Sequence, residues 1–556
     1  MRKAAFTFLL TAFYSLAAHA QTAYDAWLFS ENNYEGTART VAMGNAFTAL
    51  GGDLGAVSIN PAGSAVAGYS QIAFTPALTI SSTVSQGVPY QGSTAPYFQR
   101  KMKSNITKAG IPNAGMTFCF ETGRNTGLKS TTIGFIINRT NSWCEDLYAN
   151  GTNSTTCFSG AAAYDATETI KEYNRNRPAS EPEYTFRDFV TENAYDYMPW
   201  KDVLGYQSGM FTETETDDKT FIGASQPYIG GNVLQEPVNQ TYGRSISGNK
   251  FEYIFNIGAN ISDFVYIGMN IGFVSLAYDY TQYFKESSIE PELFENTFVD
   301  AAGNTYTTYF RDLMHRYNYS ATGTGIYGKF GIIITPGAGL RIGAAISTPT
   351  SNTIQEQWRE NGRTSFTDTK FDASAESPRG TYEYDFNSPF RANFGIAYTI
   401  GKYAVVSADY ELADYSKMKF KSNEDEDREY FEDINYEIGE TYGTAHYLRI
   451  GAEVKPTPEL AIRAGYNLST SAQKWAYDQD GTFFRLDPVY GHNISFGAGY
   501  SSKGSFFADV ACRHTFATDE YIYPYTDYRA DEGILSPEIL SRHSNWKVLL
   551  TLGWRF

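Results

Sequence analysis

Cysteine and histidine are nearly absent from this sequence, at four and six residues in 556. No CxxC, no HExxH and no spaced Cys/His group is present, so neither a metal site nor a cofactor is expected. The few histidines complete no Ser/His or acidic constellation, which argues against a hydrolase or acyltransferase. Positive charge is short as well: 44 Lys and Arg stand against 61 Asp and Glu, a formal charge of −17. A nucleic-acid partner needs clustered basic residues and is excluded on that ground. Beyond residue 20 the chain has no apolar run of the roughly 20 residues that a spanning helix requires. A helical membrane protein is therefore excluded too.

What the chain has in abundance is aromatic residues and glycine: 43 Tyr, 38 Phe and 49 Gly. That mixture favours strands and tight turns. Residues 1–20 read as an export signal, with Arg2 and Lys3 ahead of an apolar run and a small-x-small site at Ala18-His19-Ala20. The mature chain is then expected to begin at Gln21. Export permits disulfides, and Cys144 with Cys157 is the candidate loop pair. Cys119 and Cys512 fall within strands and read as packing residues.

Apolar residues recur with period two. In the stretch Trp546–Phe556, residues Trp546, Val548, Leu550, Leu552, Trp554 and Phe556 share one face, opposite Lys547, Leu549, Thr551, Gly553 and Arg555. The same alternation marks 253–261, 265–273, 390–398, 448–454 and 460–468, one apolar and one polar face per strand. The pattern predicts about fourteen strands, the first near 70–82 and the last near 544–556. Connections alternate between short turns (262–264, 335–339, 400–402, 455–458, 501–504) and long loops, of which 144–249 is the longest. This rhythm predicts an all-β fold, a transmembrane antiparallel barrel with lipid covering the apolar faces and strand closure leaving no edge in hydrocarbon. It implies a multi-pass protein of the bacterial outer membrane. No linker divides the chain, so the expected organisation is a signal at 1–20, a plug at 21–69 and a barrel at 70–556.

The plug segment does not alternate. Its core, Gly36 to Ala65, is rich in Gly and Ala, whose small side chains suit close packing within a lumen. It contains Ala38-Arg39, Met43-Gly44 followed by Ala46-Phe47, Gly52-Asp53, and Asn60-Pro61-Ala62-Gly63. This series resembles the amino-terminal hatch of the FadL family, the outer-membrane long-chain fatty-acid transporters, and the family's fourteen-stranded barrel agrees with the strand count. The resemblance implies capture of a hydrophobic ligand by outer loops and release by movement of the hatch, with Asn60, Pro61, Ala62 and Gly63 as its gate motif. It also implies sideways exit at a kinked third strand, where Gly134 is the kink candidate. The ligand, the surrounding lipid and lipopolysaccharide, and the barrel assembly machinery are the implied partners of a monomer.

Ligand contact in the long loop would need exposed apolar groups, and Trp200, Val203 and Leu204 fall on one face of a short helix opened by Pro199. Glu252, Arg341, Arg391, Asp409, Glu411, Arg449, Glu453, Arg463, Asp509, Arg513, Lys547 and Arg555 lie on lumen faces. Charges of both signs in a barrel are expected to pair with one another or with the plug before any ligand. Two other functions fit the same barrel: a general diffusion porin, which needs no plug, and a surface receptor or adhesin using the Tyr-rich loops.

Overall fold

The computed structural model describes residues 6–7, 22–89, 98–175, 177–178, 181–189, 194–214, 219–229, 232–299, 304–421, 428–477, 483–486 and 489–556. The signal read at 1–20 lies almost entirely outside them. Among the described residues, fourteen strands close into one antiparallel barrel. They are β1 Gln71–Gly87, β2 Met102–Glu121, β3 Leu128–Asn153, β4 Val238–Ile261, β5 Val265–Ser288 and β6 Thr305–Gly337. β7 comes in two segments, Leu340–Ser347 and Ser351–Phe366, β8 in Gly380–Asn387 and Arg391–Ile400, and β9 in Ala404–Asp414 and Lys419–Lys421. β10 Thr444–Val454, β11 Leu460–Thr470, β12 Tyr490–Ser501, β13 Phe506–Ile522 and β14 Ile539–Arg555 complete the wall. β14 pairs with β1 from Gln71↔Arg555 to Gly87↔Ile539, so the ring has no free edge at the seam.

Alternation decides the two faces. Phe74 is 41% exposed to the outside, while Ala73 beside it is 3% exposed. Ile72, Leu78 and Ile80 continue the lipid-facing row on β1, and Trp546, Val548, Leu550 and Trp554 do so on β14. No helix among the described residues is long and apolar enough to cross a membrane; the strands do so instead. Their backbone groups are satisfied by neighbouring strands, as hydrocarbon requires.

Several strands outrun the apolar band. β6 is 33 residues long, roughly 110 Å at about 3.3 Å per residue against a band about 25 Å tall. β3 reaches Asn153 and β4 begins at Val238, so the long connection spans 154–237 and not the expected 144–249. The extracellular halves of β3 and β4 have no lipid to face, which is why their outer positions carry no apolar row. The connection folds as a cap of α4 Phe158–Arg175, α5 Phe186–Phe189, α6 Ala194–Tyr197 and α7 Trp200–Gln207. Inside the barrel lie α1 Ala23–Ser30, α2 Ala38–Ala42 and α3 Gly63–Val66 of the plug.

Candidate functional site

The plug is seated by its backbone. Thr22 caps α1 in a reciprocal box with Asp25, and Thr37 caps α2. The intervening turns then lie directly on glycines of the inner wall. A Cβ added to Gly331 of β6 would stand 1.9 Å from Asn60 Oδ1, one on Gly343 of β7 2.1 Å from the Thr48 carbonyl oxygen, and one on Gly268 of β5 2.4 Å from Pro61. On the opposite wall Gly451 of β10, Gly465 of β11 and Gly497 of β12 meet Met43, Gly44 and Ala42 at 2.4, 2.1 and 2.5 Å in the same sense. Glycines from six strands thus form a belt that only a closely fitted segment can occupy.

Asn60 is the keystone of that fit. It is fully buried; its Nδ2 donates to the carbonyls of Thr48 at 2.7 Å and Ile332 at 3.2 Å, and its Oδ1 accepts from the Ala62 N–H at 3.0 Å. Gly63 donates its N–H to the Asn60 carbonyl at 2.9 Å and accepts from Gly52 at 2.8 Å, so the Asn60–Gly63 turn ties two parts of the plug together.

The lumen charges pair among themselves and with the plug. Arg39 of the plug binds Glu453 at 3.0 Å, Glu453 accepts from Arg463 at 2.6 Å, and Arg463 reaches Asp509 at 2.5 Å. Glu411 is held by Arg391 at 2.9 Å and Arg449 at 2.8 Å, and Arg341 donates to the Leu50 carbonyl at 2.7 Å. Such desolvated pairs hold geometry more than they add stability.

Above the plug lies an aromatic chamber that its own side chains fill. Phe29 of α1 meets Tyr278 at 6.1 Å, Trp143 meets Tyr278 at 5.3 Å, and Tyr319, Trp358, Tyr384, Phe420 and Phe431 extend the same buried cluster. Tyr24 and Trp27 of α1 and Tyr280, Tyr317 and Tyr382 of the wall are only partly buried and pack against it. The cluster is not wholly apolar: the Tyr384 hydroxyl donates to the buried Glu356 carboxylate at 2.6 Å.

The wall beside this chamber is incomplete. β2 pairs with β3 only from Glu121↔Ser130 to Asn113↔Asn138. Beyond that point β2 stays with β1 up to Met102 and β3 stays with β4 up to Asn153. The next residue of β2 is Pro112, which has no N–H to offer. β3 shifts register at the same level, between Arg139 and Asn141. Opposite Pro112, the β1–β2 register also shifts between Thr75 and Ala77, around Pro76 and within the lipid-facing row Ile72–Ile80. The gap therefore starts inside the apolar band.

A crystal structure of a Pseudomonas aeruginosa FadL homologue is similar over 94% of this chain and 98% of its own, with a TM-score of 0.50 at 12% identity. The fold is that of the FadL-type channels. The P. putida toluene transporter TodX aligns over 95% of this chain and 99% of its own, with a TM-score of 0.47 at 12% identity. The CymD monoaromatic hydrocarbon channel aligns over 94% and 97%, with a TM-score of 0.43 at 9% identity. No family model and no curated protein matches the chain. A closed barrel with a lipid-facing belt and a FadL-type fold is a multi-pass protein of the bacterial outer membrane.

Within this FadL-type barrel the expected residues fall unevenly. Asn60, Pro61, Ala62 and Gly63 come together on the wall as one turn. Gly134 is not at a kink: it sits in an unbroken ladder between Thr117 and Asn256, and the irregularity lies five to seven residues further on. Val203 and Leu204 are fully buried in the cap, where Val203 packs among Phe186, Phe211 and Met210. Trp200 is half-buried, donates Nε1–H to the Tyr195 carbonyl at 2.9 Å and meets Trp358 of the aromatic cluster in a tilted contact at 5.7 Å. Of the three it alone borders the candidate site.

The proposed disulfide is absent: Cys144 and Cys157 are both free thiols. β3 runs extended from Cys144 to Asn153, roughly 30 Å of strand at about 3.3 Å per residue, far beyond the Cα separation a bridge allows. Cys157 is buried instead against the Tyr528 hydroxyl at 3.5 Å, and burial pushes its thiol up to about 11. Sequence reasoning missed Glu35, Arg139 and the glycine belt. Glycines recurring on lumen faces, at 258, 268, 331, 343, 395, 451 and 465, were the available signal for the belt.

Proposed function

We propose that this chain moves hydrophobic small molecules across the outer membrane, long-chain fatty acids first among them, and passes them sideways into the bilayer. The observation that carries the reading is the β2–β3 gap, which begins in the apolar band beside a packed aromatic cluster above a lumen-filling plug. In this reading the cap collects the ligand from the outside, and the aromatic cluster repacks around it. Displacement of the plug's first residues, α1 and the segment after it, then opens the way to the gap. An apolar compound leaving there stays in contact with lipid-like surface and avoids crossing water.

The TodX and CymD channels are described as carrying toluene and monoaromatic hydrocarbons, so aromatic hydrocarbons form the comparison class for ligand choice. The test is mass spectrometry of apolar molecules co-purifying with the detergent-extracted protein, alongside cellular uptake of labelled oleate and toluene. Bound fatty acid, with oleate uptake reduced by Asn60→Ala/Pro61→Ala, is the expected result. An empty barrel, with uptake unchanged by that variant, would contradict the reading.

A further inference from the structure

Where β3 parts from β2, its open edge is taken up by the plug. The Glu35 N–H donates to the Arg139 carbonyl at 3.0 Å in an antiparallel bridge, and the Asn33 N–H donates to the Thr140 carbonyl at 2.5 Å. The Asn141 side chain adds a bond to Glu31 at 3.3 Å. Residues 31–35 thus supply hydrogen bonds at the level where β2 stops doing so.

The Glu35 carboxylate ties this bridge to two strands of the wall. It is 1% exposed and accepts from Arg139 Nη2 at 2.7 Å and Nε at 2.8 Å, from the Ser142 hydroxyl at 2.9 Å, and from Lys547 of β14. Arg139 also donates to Asn249 of β4 at 3.1 Å, and a Cβ on Gly110 of β2 would stand 3.1 Å from its Nη1. The guanidinium therefore lies across the gap, one side against β2 and the other held by the plug.

We infer that Glu35 is a latch joining the plug to the wall gap, so that the two open as one unit. The inference rests on the transport reading above for its purpose but not for its test. A plug that moves without β3 would leave Arg139 and Lys547 buried without their shared anion and the carbonyls of Arg139 and Thr140 without donors. A β3 edge that moves without the plug would incur the same losses. The intervening segment is short: α1, which lines the chamber, ends at Ser30, one residue before the bridging stretch begins. A molecule that lifts α1 therefore pulls directly on the latch. Glu35 acts here as a positioning residue, since it faces the wall and not the chamber.

The test is hydrogen–deuterium exchange, read by mass spectrometry, on the full-length protein in detergent micelles with no ligand added. Glu35→Gln keeps the shape and one acceptor oxygen but removes the charge. Exchange is expected to rise together, by at least about tenfold, in 31–37 and in 139–145, with β10 and β11 unchanged. A rise confined to the plug, or none at all, would overturn the latch. If Glu35→Gln does not fold, as judged by gel mobility before and after boiling, Ser142→Ala removes one bond to the same carboxylate and is read in the same way. Oleate uptake is measured separately, so failure of the transport reading leaves the exchange result interpretable.

Discussion

The glycine belt makes a quantitative claim that one methyl group can test. Replacing Gly331 by Ala places a Cβ 1.9 Å from Asn60 Oδ1, so the Asn60 amide must leave its place. It then loses its bonds to the Thr48 and Ile332 carbonyls and to the Ala62 N–H, all buried. Leaving buried partners unsatisfied costs about 1–3 kcal/mol and overpacking about 1–3 kcal/mol. The seating of the plug should therefore weaken by about 2–6 kcal/mol, or about one to four orders of magnitude in local opening at about 1.4 kcal/mol per decade. The β6 ladder itself is untouched, because Gly331 pairs through its backbone with Gly268 and Ala345. Hydrogen exchange should rise sharply in residues 44–66 while β5, β6 and β7 stay protected, and entry of a small polar sugar into proteoliposomes should accelerate. Gly328→Ala, three residues along the same strand with its nearest neighbour at 3.8 Å, is the matched control. Gly331→Ala should cost less on an Asn60→Ala background than alone, since the Oδ1 clash has gone and the tighter contact left is Pro61 Cδ at 2.9 Å. Equal behaviour of Gly331→Ala and Gly328→Ala would mean that the plug does not rest on the Gly331 surface.

Asp202 of the cap is 1% exposed and accepts from the Thr169 hydroxyl at 2.7 Å; burial raises its carboxyl from 3.8 to about 6. The folded cap then binds a proton more tightly than the unfolded segment. Cap stability should rise as pH falls from 7 to about 4, by up to roughly 3 kcal/mol, and level off below. Exchange in 194–214 measured against pH checks this, and Asp202→Asn should flatten the profile. Leu204→Ala should loosen the cap by about 2–5 kcal/mol through the cavity it leaves, while Trp200→Ala should spare the cap more and weaken binding of an aromatic probe in the chamber; differential exchange and fluorescence titration separate the two. Alkylation in denaturant should count four thiols with or without reductant, and a lower count without reductant would restore the Cys144–Cys157 bridge.

The barrel was legible because lipid imposes a local rule. Every second residue of Trp546–Phe556 must be apolar, and a reader needs only the strand itself to see it. The extracellular halves of β3 and β4 obey no such rule, so Cys144–Asn153 and Val238–Asn249 read as loop although they are strand. Gly134 drew attention as the glycine of its strand, yet a glycine within an intact ladder bends nothing. The break came from Pro112 on the neighbouring strand and the register shift at Arg139, a relation between two strands that neither reveals alone. Asn60 was visible as a motif, but its partner Gly331 lies 271 positions away in the chain, and Glu35 lies 104 from Arg139 and 512 from Lys547. Contacts of that kind are set by barrel closure and not by spacing. Trp200, Val203 and Leu204 read as one face; Val203 and Leu204 are buried within the cap while Trp200 meets Trp358, a division set by packing that no periodicity encodes.

Apolar molecules are proposed to leave through the β2–β3 gap. Oleate uptake by cells depending on this protein tests that exit, with Gly110→Phe filling the gap beside the Arg139 guanidinium. Uptake should fall to the level of cells lacking the protein, while gel mobility before and after boiling shows a folded barrel and exchange in 31–37 and 44–66 shows the Glu35 bridge intact and the plug seated. Uptake undiminished in that folded, sealed variant would contradict it and place the exit elsewhere.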